Sequence, residues 1–534
     1  MVRSTLLKYN AVVVACCLLF FVCDKPTFSQ EEVTFVSAGV AKAIQFLGPE
    51  WKTEDGTLVG SGKGSLLVGD RAISAGDFQL RARLQIDELG KSAASFMLNG
   101  DHFGFEGQLG EMFTEGRLLG TRNLGPSKVK EGIPFLFEIS RAGNRLQIAI
   151  DGEVMFKTDV KVDKLTFSFR PHRSKMRIFD LTATAQFAPL PRPIPHTRLF
   201  VNGQGKYPRY RIPAIVRSNK GTLLAFCEGR TGGDSGPIDL ILKRSTDDGK
   251  TWKPLQVVWD DGENTCGNPC PVVDRQTGTI CLLMTWNLGT DHEREILSGK
   301  SKDVRHVYVT HSVDDGNSWS TPKKISETTR KEHWRWYATG PGNGIQLKRG
   351  KHKGRLLIPC NHSDHSVGGH PYRSHVIYSD DHGKSWHLGG VHQDRTNESA
   401  VVERSDGAIL QAMRSYHGKN RRAMAISHDG GESWGDVHLE DALDTPVCQA
   451  NILRWDWPEE EGKGRILFSS PQGAARSRMT IWMSEDDGKT WPVQKLVNPG
   501  ASAYSNLIVL GSGKIGLLYE TGGNAISFAI VDLD

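Results

Sequence analysis

The sequence predicts an all-β protein in which an antiparallel β-sandwich precedes a β-propeller. In residues 31–190 apolar side chains recur at every second position, as in "FQLRARLQI" (residues 78–86), and no helical period is visible. In the second part of the chain one short motif, Ser-x-Asp-x-Gly-x-Ser/Thr-Trp, occurs five times. Alternation predicts half-buried strands, and repetition of one turn predicts repeated supersecondary units.

The five motifs begin at Ser245, Ser312, Ser379, Ser427 and Ser484, which are 67, 67, 48 and 57 residues apart. Each follows a β-rich segment such as "HVYVTH", so several strands fit into each period, as in propeller blades. Asp and Gly supply the tight turn, and the Trp can pack into the neighbouring sheet. Five equivalent aspartates around a ring favour a structural role over a catalytic one.

Composition describes a globular protein of more than one domain. The 534 residues carry a formal net charge of +5, and no long run of Lys or Arg stands out. A nucleic-acid partner and an acidic membrane surface are therefore not indicated.

The first 29 residues are predicted to be a secretory signal peptide. Arg3 and Lys8 precede the apolar run of residues 11–22, and small residues follow at 27–29; the run is too short for a comfortable membrane span. A lipoprotein signal centred on Cys23 is a weaker alternative. The protein is therefore expected to be secreted or periplasmic, without stable membrane insertion.

A proline-rich stretch divides the remaining chain. "FAPLPRPIPHT" (residues 187–197) carries four prolines, and we predict a β-sandwich accessory domain at 31–190, a linker at 191–197 and the propeller at 198–534. The first domain loosely resembles the jelly-roll modules of secreted carbohydrate-active enzymes, which makes it a candidate carbohydrate-binding domain.

Neither a metal nor another cofactor is expected. Six cysteines follow the signal segment, and buried thiols are favoured over disulfides because the spacing is not a dense framework. Cys266-x3-Cys270 has no matching second pair for zinc. The histidine-rich "NHSDHSVGGH" (residues 361–370) is interpreted as a polar loop rather than a metal cluster.

Candidate site residues lie between the repeats. They comprise arginines, carboxylates and one tyrosine in short motifs: Arg211 in "YRIPAIV", Arg230 and Asp234 in "EGRTGGDSGPIDL", Glu398 in "TNESAVVE", Arg414 in "QAMRS", Arg476 in "QGAARSRMTIW", Tyr504 in "SAYSNLIVL" and Glu520 in "GLLYE".

Together these motifs resemble the exo-α-sialidases (neuraminidases), and the resemblance covers roughly residues 198–534. It implies a six-bladed propeller and hydrolysis of terminal α-linked sialic acid from sialylated glycans. It also implies an arginine triad (Arg211, Arg414 and Arg476), a tyrosine nucleophile with its base (Tyr504 and Glu398), and an acid/base (Asp234). Glu520 would support Arg211, and Arg230 would lie at the substrate rim.

The chemistry is consistent with these roles. Three guanidinium groups can hold the carboxylate of a sialic acid through planar, charge-assisted hydrogen bonds that lysines cannot reproduce. A neutral tyrosine nucleophile avoids the repulsion that a carboxylate nucleophile would meet there. A phenol of ordinary pKa is a poor nucleophile at neutral pH, so a base such as Glu398 has to accept its proton.

Several positions have rivals. Arg478 competes with Arg476, Asp239 with Asp234, and Glu403 with Glu398. Glu293 and Glu295 are possible rim carboxylates. At the level of function, a non-catalytic sialic-acid-binding propeller and a sortilin-like protein-binding scaffold are the alternatives; the joint presence of Asp234, Glu398 and Tyr504 counts against the first.

Overall fold

A computed structural model describes residues 30–47, 51–62, 65–74, 76–89, 93–190, 192–460 and 464–533. The predicted signal peptide (residues 1–29) lies outside the described residues, as does Pro191 in the predicted linker. The described chain is built of strands with two short helices, which confirms the all-β prediction.

Residues 31–189 form what we call the N-terminal sheets. Their strands, in chain order, are β1 (Glu31–Ser37), β2 (Val40–Ala41), β3 (Ile44–Leu47), β4 (Lys52–Glu54), β5 (Thr57–Ser61), β6 (Leu66–Gly69), β7 (Arg71–Ser74), β8 (Phe78–Glu88), β9 (Ala93–Leu98), β10 (Asp101–Glu106), β11 (Glu111–Glu115), β12 (Arg122–Pro126), β13 (Phe135–Ala142), β14 (Arg145–Ile150), β15 (Glu153–Asp159), β16 (Lys164–Leu165), β17 (Phe167–Arg170), β18 (Lys175–Ala185) and β19 (Phe187–Pro189).

These strands form three antiparallel sheets. A nine-stranded sheet has the order β15-β14-β13-β8-β18-β1-β2 with β4 and β5 at its side, a seven-stranded sheet has the order β12-β11-β10-β9-β17-β6-β3, and β16-β7-β19 form the third. The two large sheets share one apolar core, in which Phe96 of β9 packs against Phe137 of β13 with ring centroids 5.1 Å apart. Alternation along β8 places Phe78, Leu80 and Ala82 in this core, as the pattern predicts.

Residues 196–531 form what we call the C-terminal sheets. Their elements are β20 (His196–Val201), β21 (Arg209–Arg217), β22 (Leu223–Arg230), β23 (Ile238–Ser245), β24 (Gln256–Trp259), β25 (Thr265–Val273), β26 (Ile280–Asn287), α1 (Glu293–Ser298), β27 (His306–Ser312), β28 (Lys323–Lys324), α2 (Ser326–Thr329), β29 (Trp334–Thr339), β30 (Ile345–Gln346), β31 (Leu356–Asp364), β32 (Tyr372–Ser379), β33 (His387–Asp394), β34 (Thr396–Glu403), β35 (Ile409–Ser415), β36 (Arg421–Ser427), β37 (His438–Asp444), β38 (Asn451–Arg454), β39 (Ile466–Pro471), β40 (Ser477–Ser484), β41 (Val493–Val509), β42 (Ile515–Thr521) and β43 (Ala525–Val531).

Most neighbouring strands pair antiparallel, whereas β23 and β25 are linked by one parallel pair, Ile238 with Thr265. One sheet has the order β21-β22-β23-β25-β26-β27-β28 with β24 beside β23, the next contains β29 to β33, and a third contains β34 to β37. The last sheet has the order β20-β43-β42-β41-β40-β39-β38, so the first of the C-terminal strands, β20, pairs with the final one, β43. The 17-residue strand β41 pairs with β40 through residues 493–501 and with β42 through residues 502–509.

The five repeated motifs are hydrogen-bonded turns at strand ends. In the first, Ser245 Oγ donates to Asp247 Oδ1 (2.7 Å), the Gly249 amide donates to Ser245 Oγ (2.9 Å), and the Thr251 amide donates to Asp247 Oδ1 (2.9 Å). The hydroxyl and amide of Thr251 lower the pKa of Asp247 to about 2. The same bonds recur in the other four copies.

Each of the five turns contains one residue with a left-handed backbone conformation. The residue after the aspartate of each motif has a positive φ of 58° to 75°; these residues are Asp248, Asp315, His382, Gly430 and Asp487. Such a left-handed residue tightens the turn, and glycine, aspartate and histidine, the residue types found there, are among those that adopt a positive φ most often. The structural interpretation of the five aspartates agrees with this geometry.

The cysteines and the two helices of the described residues each bear on one expectation from the sequence. The six described cysteines are buried free thiols, which confirms that prediction. Within the described ranges, neither helix has the length and apolar character needed to cross a membrane.

Candidate active site

Polar side chains from four regions of the C-terminal sheets converge on one cavity of about 260 Å³. Seven of the eight predicted site residues line it: Arg211, Arg230, Asp234, Glu398, Arg414, Arg476 and Tyr504. They come from β21, β22, the loop after β22, β34, β35, the residue before β40, and β41. The eighth, Glu520, lies behind the cavity wall on β42, where it contacts Arg211.

A tyrosine and a glutamate form the hydrogen-bonded centre of the cavity. Tyr504 Oη donates to Glu398 Oε1 at 2.6 Å, while Arg414 Nη1 donates to Glu398 Oε2 at 2.8 Å and to Tyr504 Oη at 3.3 Å. Burial and the negative charge of Glu398 raise the pKa of Tyr504 well above its usual value. The phenol is therefore neutral at rest, with a proton acceptor already in contact.

Two further guanidinium groups flank the same ring. The Cζ atoms of Arg211 and Arg476 lie 5.1 Å and 5.6 Å from the centroid of the Tyr504 ring. With Arg414 they surround the tyrosine oxygen with positive charge. An anionic ligand in contact with all three arginines would lie next to that oxygen.

A buried carboxylate fixes the first of these arginines. Glu520, 7% exposed, accepts from Arg211 Nε at 2.9 Å and Nη2 at 3.1 Å, and also from the Ile212 amide at 3.0 Å. Ile212 has a φ of 65°, rare for a β-branched residue, at a register shift in β21. This irregular backbone in "YRIP" turns the Arg211 side chain toward the cavity while Glu520 holds it.

Arg476 is held differently. Its Nη2 donates to the Val447 carbonyl oxygen at 3.0 Å, and its side chain is exposed to the cavity. Among the described residues it has no carboxylate partner within ion-pair distance, whereas Arg211 and Arg414 each have one.

Asp234 lies on an open loop above the cavity. Its side chain is 78% exposed; Oδ1 lies 3.8 Å from Arg211 Nη1 and accepts from Arg230 Nη1 at 2.5 Å. Partial burial acts to raise the pKa of Asp234, but the positive charges of Arg230 and Arg211 outweigh it and hold that pKa below its usual value. Arg230 is itself held by Glu228 on the same strand.

The rival residues face elsewhere. Asp239 is buried against Tyr207 and Lys206, and Glu403 accepts the backbone amides of Lys348 and Arg349 at 2.7 Å and 2.8 Å. Arg478 points toward the N-terminal sheets. Of the two rim candidates, Glu293 lines the cavity and accepts from Tyr372 Oη, while Glu295 caps helix α1.

Sequence reasoning missed one wall of the cavity. Arg305 is buried, stacks on Trp336 with its Cζ 4.3 Å from the ring centroid, and donates to Asn268 Oδ1 at 2.8 Å. Burial lowers the pKa of Arg305 to about 10. The only signal in the sequence was a charged residue directly before the apolar strand "HVYVTH", which is common outside active sites as well.

A wider groove begins where the cavity ends. It has a volume of about 1080 Å³ and shares Asp234, Glu293 and Tyr416 with the cavity. The rings of Tyr372 and Tyr416 lie 5.9 Å apart at 33° on its wall. A ligand can therefore be held by the arginines and still extend past Asp234 into open space.

The sequence of this chain is similar to one family model and to several sialidases. A family model described as a BNR repeat-like domain matches residues 221–517. A sialidase of Micromonospora viridifaciens is 37% identical over 342 residues, which cover 61% of this chain and 52% of that protein. An exo-alpha-sialidase of Aspergillus fumigatus is 31% identical and covers 58% of this chain and 78% of that protein. The chain belongs to the exo-α-sialidase family of BNR-repeat proteins.

The chain spans about half the length of the Micromonospora protein and 62% of a matching Bacteroides fragilis sialidase. Among solved structures, the Hadza microbial sialidase Hz136 is similar with a TM-score of 0.58 and 23% identity, covering 87% of this chain and 95% of that one. A leech intramolecular trans-sialidase gives a TM-score of 0.54 at 18% identity, covering 87% and 93%. At these identities the structures show a common fold.

Proposed function

We propose that this chain is a retaining exo-α-sialidase that hydrolyses terminal α-linked sialic acid from glycoproteins, glycolipids or oligosaccharides. The observation that carries the proposal is the 2.6 Å hydrogen bond from Tyr504 to Glu398 inside a ring of three arginines. The names of the relatives support the substrate class.

The arginines act as a clamp for the substrate carboxylate. Arg211, Arg414 and Arg476 present planar donors around the Tyr504 oxygen, and planar donors suit a carboxylate better than ammonium groups do. Since sialic acids carry their carboxylate on the anomeric carbon, holding it here brings that carbon next to the phenol oxygen. Position and charge are then arranged before reaction.

In the first step, Tyr504 Oη attacks the anomeric carbon as its proton passes to Glu398. The bond to the glycosidic oxygen breaks, and that oxygen takes a proton from Asp234. In the second step, Asp234 accepts a proton from water, the oxygen of which displaces Tyr504, and Glu398 returns its proton to the phenolate. Two displacements retain the α configuration.

Substrate binding supplies the protonation state that Asp234 needs. In the free site the charges of Arg211 and Arg230 hold the pKa of Asp234 below its usual value. A bound substrate carboxylate neutralises part of that positive charge, so the pKa of Asp234 rises when the leaving group has to be protonated.

A non-catalytic sialic-acid-binding protein is less well supported. Recognition of a carboxylate needs the arginines but gives no reason for a buried phenol in contact with a glutamate, beside an aspartate on an open loop.

The proposal extends to architecture and location. We propose that the C-terminal sheets form a six-bladed propeller over residues 198–534, with β20 beginning two residues earlier, in the linker. The parallel β23–β25 pair divides the first sheet into two meanders, β41 is shared by two others, and β20 completes the last of the six. We also propose that residues 31–190 are a β-sandwich accessory domain joined by the linker at 191–197, and that the protein is secreted or periplasmic. The two large sheets around one core support the β-sandwich domain. The basic residues followed by an apolar run at the start of the sequence support the proposed location.

The test is hydrolysis of a fluorogenic aryl α-sialoside by the full chain, with proton NMR of the released sugar. The wild type is expected to release the α anomer first, and Tyr504→Phe is expected to stay folded and lose at least about 100-fold in kcat. Tyr519→Phe is the matched control, because Tyr519 is equally buried but lies outside the cavity. Early β product, or full activity of Tyr504→Phe, would contradict the mechanism.

A further inference from the structure

The N-terminal sheets contact the segment that carries Arg476. The turn Asn99–Gly100, between β9 and β10, lies against residues 472–478: a Cβ atom on Gly100 would be 3.6 Å from Arg478 Cδ and 3.7 Å from the Gln472 carbonyl oxygen. From the other side, a Cβ atom on Gly473 would be 3.6 Å from Asp101 Oδ1. A Cβ atom at either glycine would therefore be in van der Waals contact with the other segment, and a side chain longer than alanine at Gly100 would reach residues 472–478.

Polar contacts surround this meeting point. Asn420 Nδ2 donates to Glu115 Oε1 at 3.0 Å, and Arg117 Nη1 lies 3.8 Å from Asp444 Oδ1. Asp444 is 5% exposed. Each pair joins the N-terminal sheets to a strand end of the C-terminal sheets, so the contact is formed by several groups and not by one turn alone.

The same segment determines where Arg476 stands. The Gln472 amide donates to the carbonyl oxygens of Ser477 and Arg478 at 3.2 Å and 3.1 Å, which closes residues 472–478 into a loop. The Gly473 amide donates to the Asp444 carbonyl oxygen at 3.0 Å. Three residues after Asp444 comes Val447, whose carbonyl oxygen accepts the only hydrogen bond that the Arg476 guanidinium donates among the described residues.

Arg476 also depends on its backbone more than the other two arginines do. Arg211 and Arg414 are each held at the guanidinium by a buried carboxylate, Glu520 and Glu398. Arg476 has a carbonyl oxygen instead, and its side chain is exposed. A small displacement of residues 472–478 or of Val447 would therefore move this arginine relative to Tyr504.

We propose that the N-terminal sheets position Arg476 for substrate binding, through the contact of Asn99–Gly100 and Asp101 with residues 472–478 and through the ion pair of Arg117 with Asp444. The first domain is then part of the substrate-binding apparatus and not only an appendage for carbohydrate. This inference rests on the proposed function, because it assigns Arg476 to the carboxylate clamp. Gly100 and Asp101 are positioning residues that act through Arg476.

The experiment compares two hairpin turns in the full chain. Asn99–Gly100 and Asp151–Gly152 have the same backbone, with φ of 50° and 89° in one and 49° and 79° in the other, but a Cβ at Gly152 has no atom within 4 Å. Gly100→Asn and Gly152→Asn therefore carry similar local strain, since Asn tolerates positive φ. Only Gly100→Asn pushes a side chain into residues 472–478.

Gly100→Asn is expected to raise KM for an aryl α-sialoside about fivefold or more with kcat little changed, because carboxylate binding is shared by ground and transition states. Hydrogen exchange of the Gln472 and Gly473 amides should become faster. Gly152→Asn should change neither quantity. An unchanged KM in Gly100→Asn overturns the proposal, whether or not exchange becomes faster.

A double-mutant cycle tests the route through Arg476. Arg476→Ala alone should raise KM, and adding Gly100→Asn should then raise it less than about twofold further. Additive effects would show that Gly100 acts by another route and would overturn the proposal. If the wild type does not hydrolyse the sialoside, the proposed function fails, and unchanged exchange at Gln472 and Gly473 in Gly100→Asn would separately refute the structural coupling.

Discussion

Glu520→Gln tests the support of the arginine clamp. Glu520 accepts four hydrogen bonds: two from Arg211 and one from the Ile212 amide at 2.9–3.1 Å, and one from the Tyr504 amide at 3.4 Å. A glutamine has one acceptor oxygen, and its amide group would meet a donor. Removing one partner of a buried ion pair costs about 3–5 kcal/mol of folding stability, because the remaining charge is left buried without compensation.

The same change should weaken substrate binding. If Arg211 loses its geometry, one charge-assisted contact to the substrate carboxylate is lost, worth about 1.5–3 kcal/mol. This corresponds to a decrease of about 10- to 160-fold in kcat/KM for an aryl α-sialoside. Initial-rate kinetics on the purified full-chain variant, with its melting temperature, measure both effects.

Glu403→Gln is the matched control. Glu403 is also buried and accepts two backbone amides, yet it lies outside the cavity. It should lose stability without losing kcat/KM. If both variants lose the same fraction of kcat/KM, or if Glu520→Gln keeps wild-type kcat/KM, the supporting role of Glu520 is refuted.

Two further predictions concern stability alone. Asp486→Ala removes the acceptor of Ser484 Oγ, the Thr490 amide and the Thr490 hydroxyl, and should lower stability by about 1 kcal/mol with kcat unchanged; a variant that melts like the wild type but has lost kcat would contradict the structural role of the motif. Burial, with the charges of Arg170 and His172, lowers the pKa of His102 to about 3 from an ordinary 6.5. The stability from its neutral form is present above pH 6.5 and is lost as the pH falls toward 3, by about 2 kcal/mol between pH 7 and 5. The denaturation midpoint should therefore decrease less from pH 7 to pH 5 in His102→Gln than in the wild type. An equal decrease in both proteins would refute the assignment.

The repeated turns could be predicted from the sequence because their chemistry is local. Each needs only a serine, an aspartate and a glycine within five residues, and the structure forms these bonds in all five copies. "YRIP" and the arginine motifs could be recognised for the same reason, because each is a short stretch at or near the end of a strand.

The choice between Arg476 and Arg478 could not be made from strand alternation. The two arginines are two positions apart, so a regular strand would point both side chains to the same face. In the structure β40 has a register shift beside Met479, and Arg478 has a φ of 60°. This irregularity directs Arg476 to the cavity and Arg478 to the N-terminal sheets.

Arg305 and the Asn99–Gly100 contact could not be predicted from the sequence, for a different reason. Both depend on which distant segments meet: Arg305 faces Asn268 and Trp336, and Gly100 faces residues 472–478. A local pattern carries no record of such tertiary partners, and neither position differs from an ordinary strand end or hairpin turn.

The pairing of β20 with β43 has a consequence for synthesis. His196 pairs with Ala529 and Val201 with Ala525, so the sheet that holds Glu520 is incomplete until residues 525–529 have left the ribosome. The N-terminal sheets, in contrast, pair only among themselves within the described residues and are complete by residue 189. During translation they can fold first, while some 330 residues wait for a closing strand. A chain released early would therefore present an unpaired β42 edge beside a finished first domain, and that edge is where aggregation of nascent chains should begin.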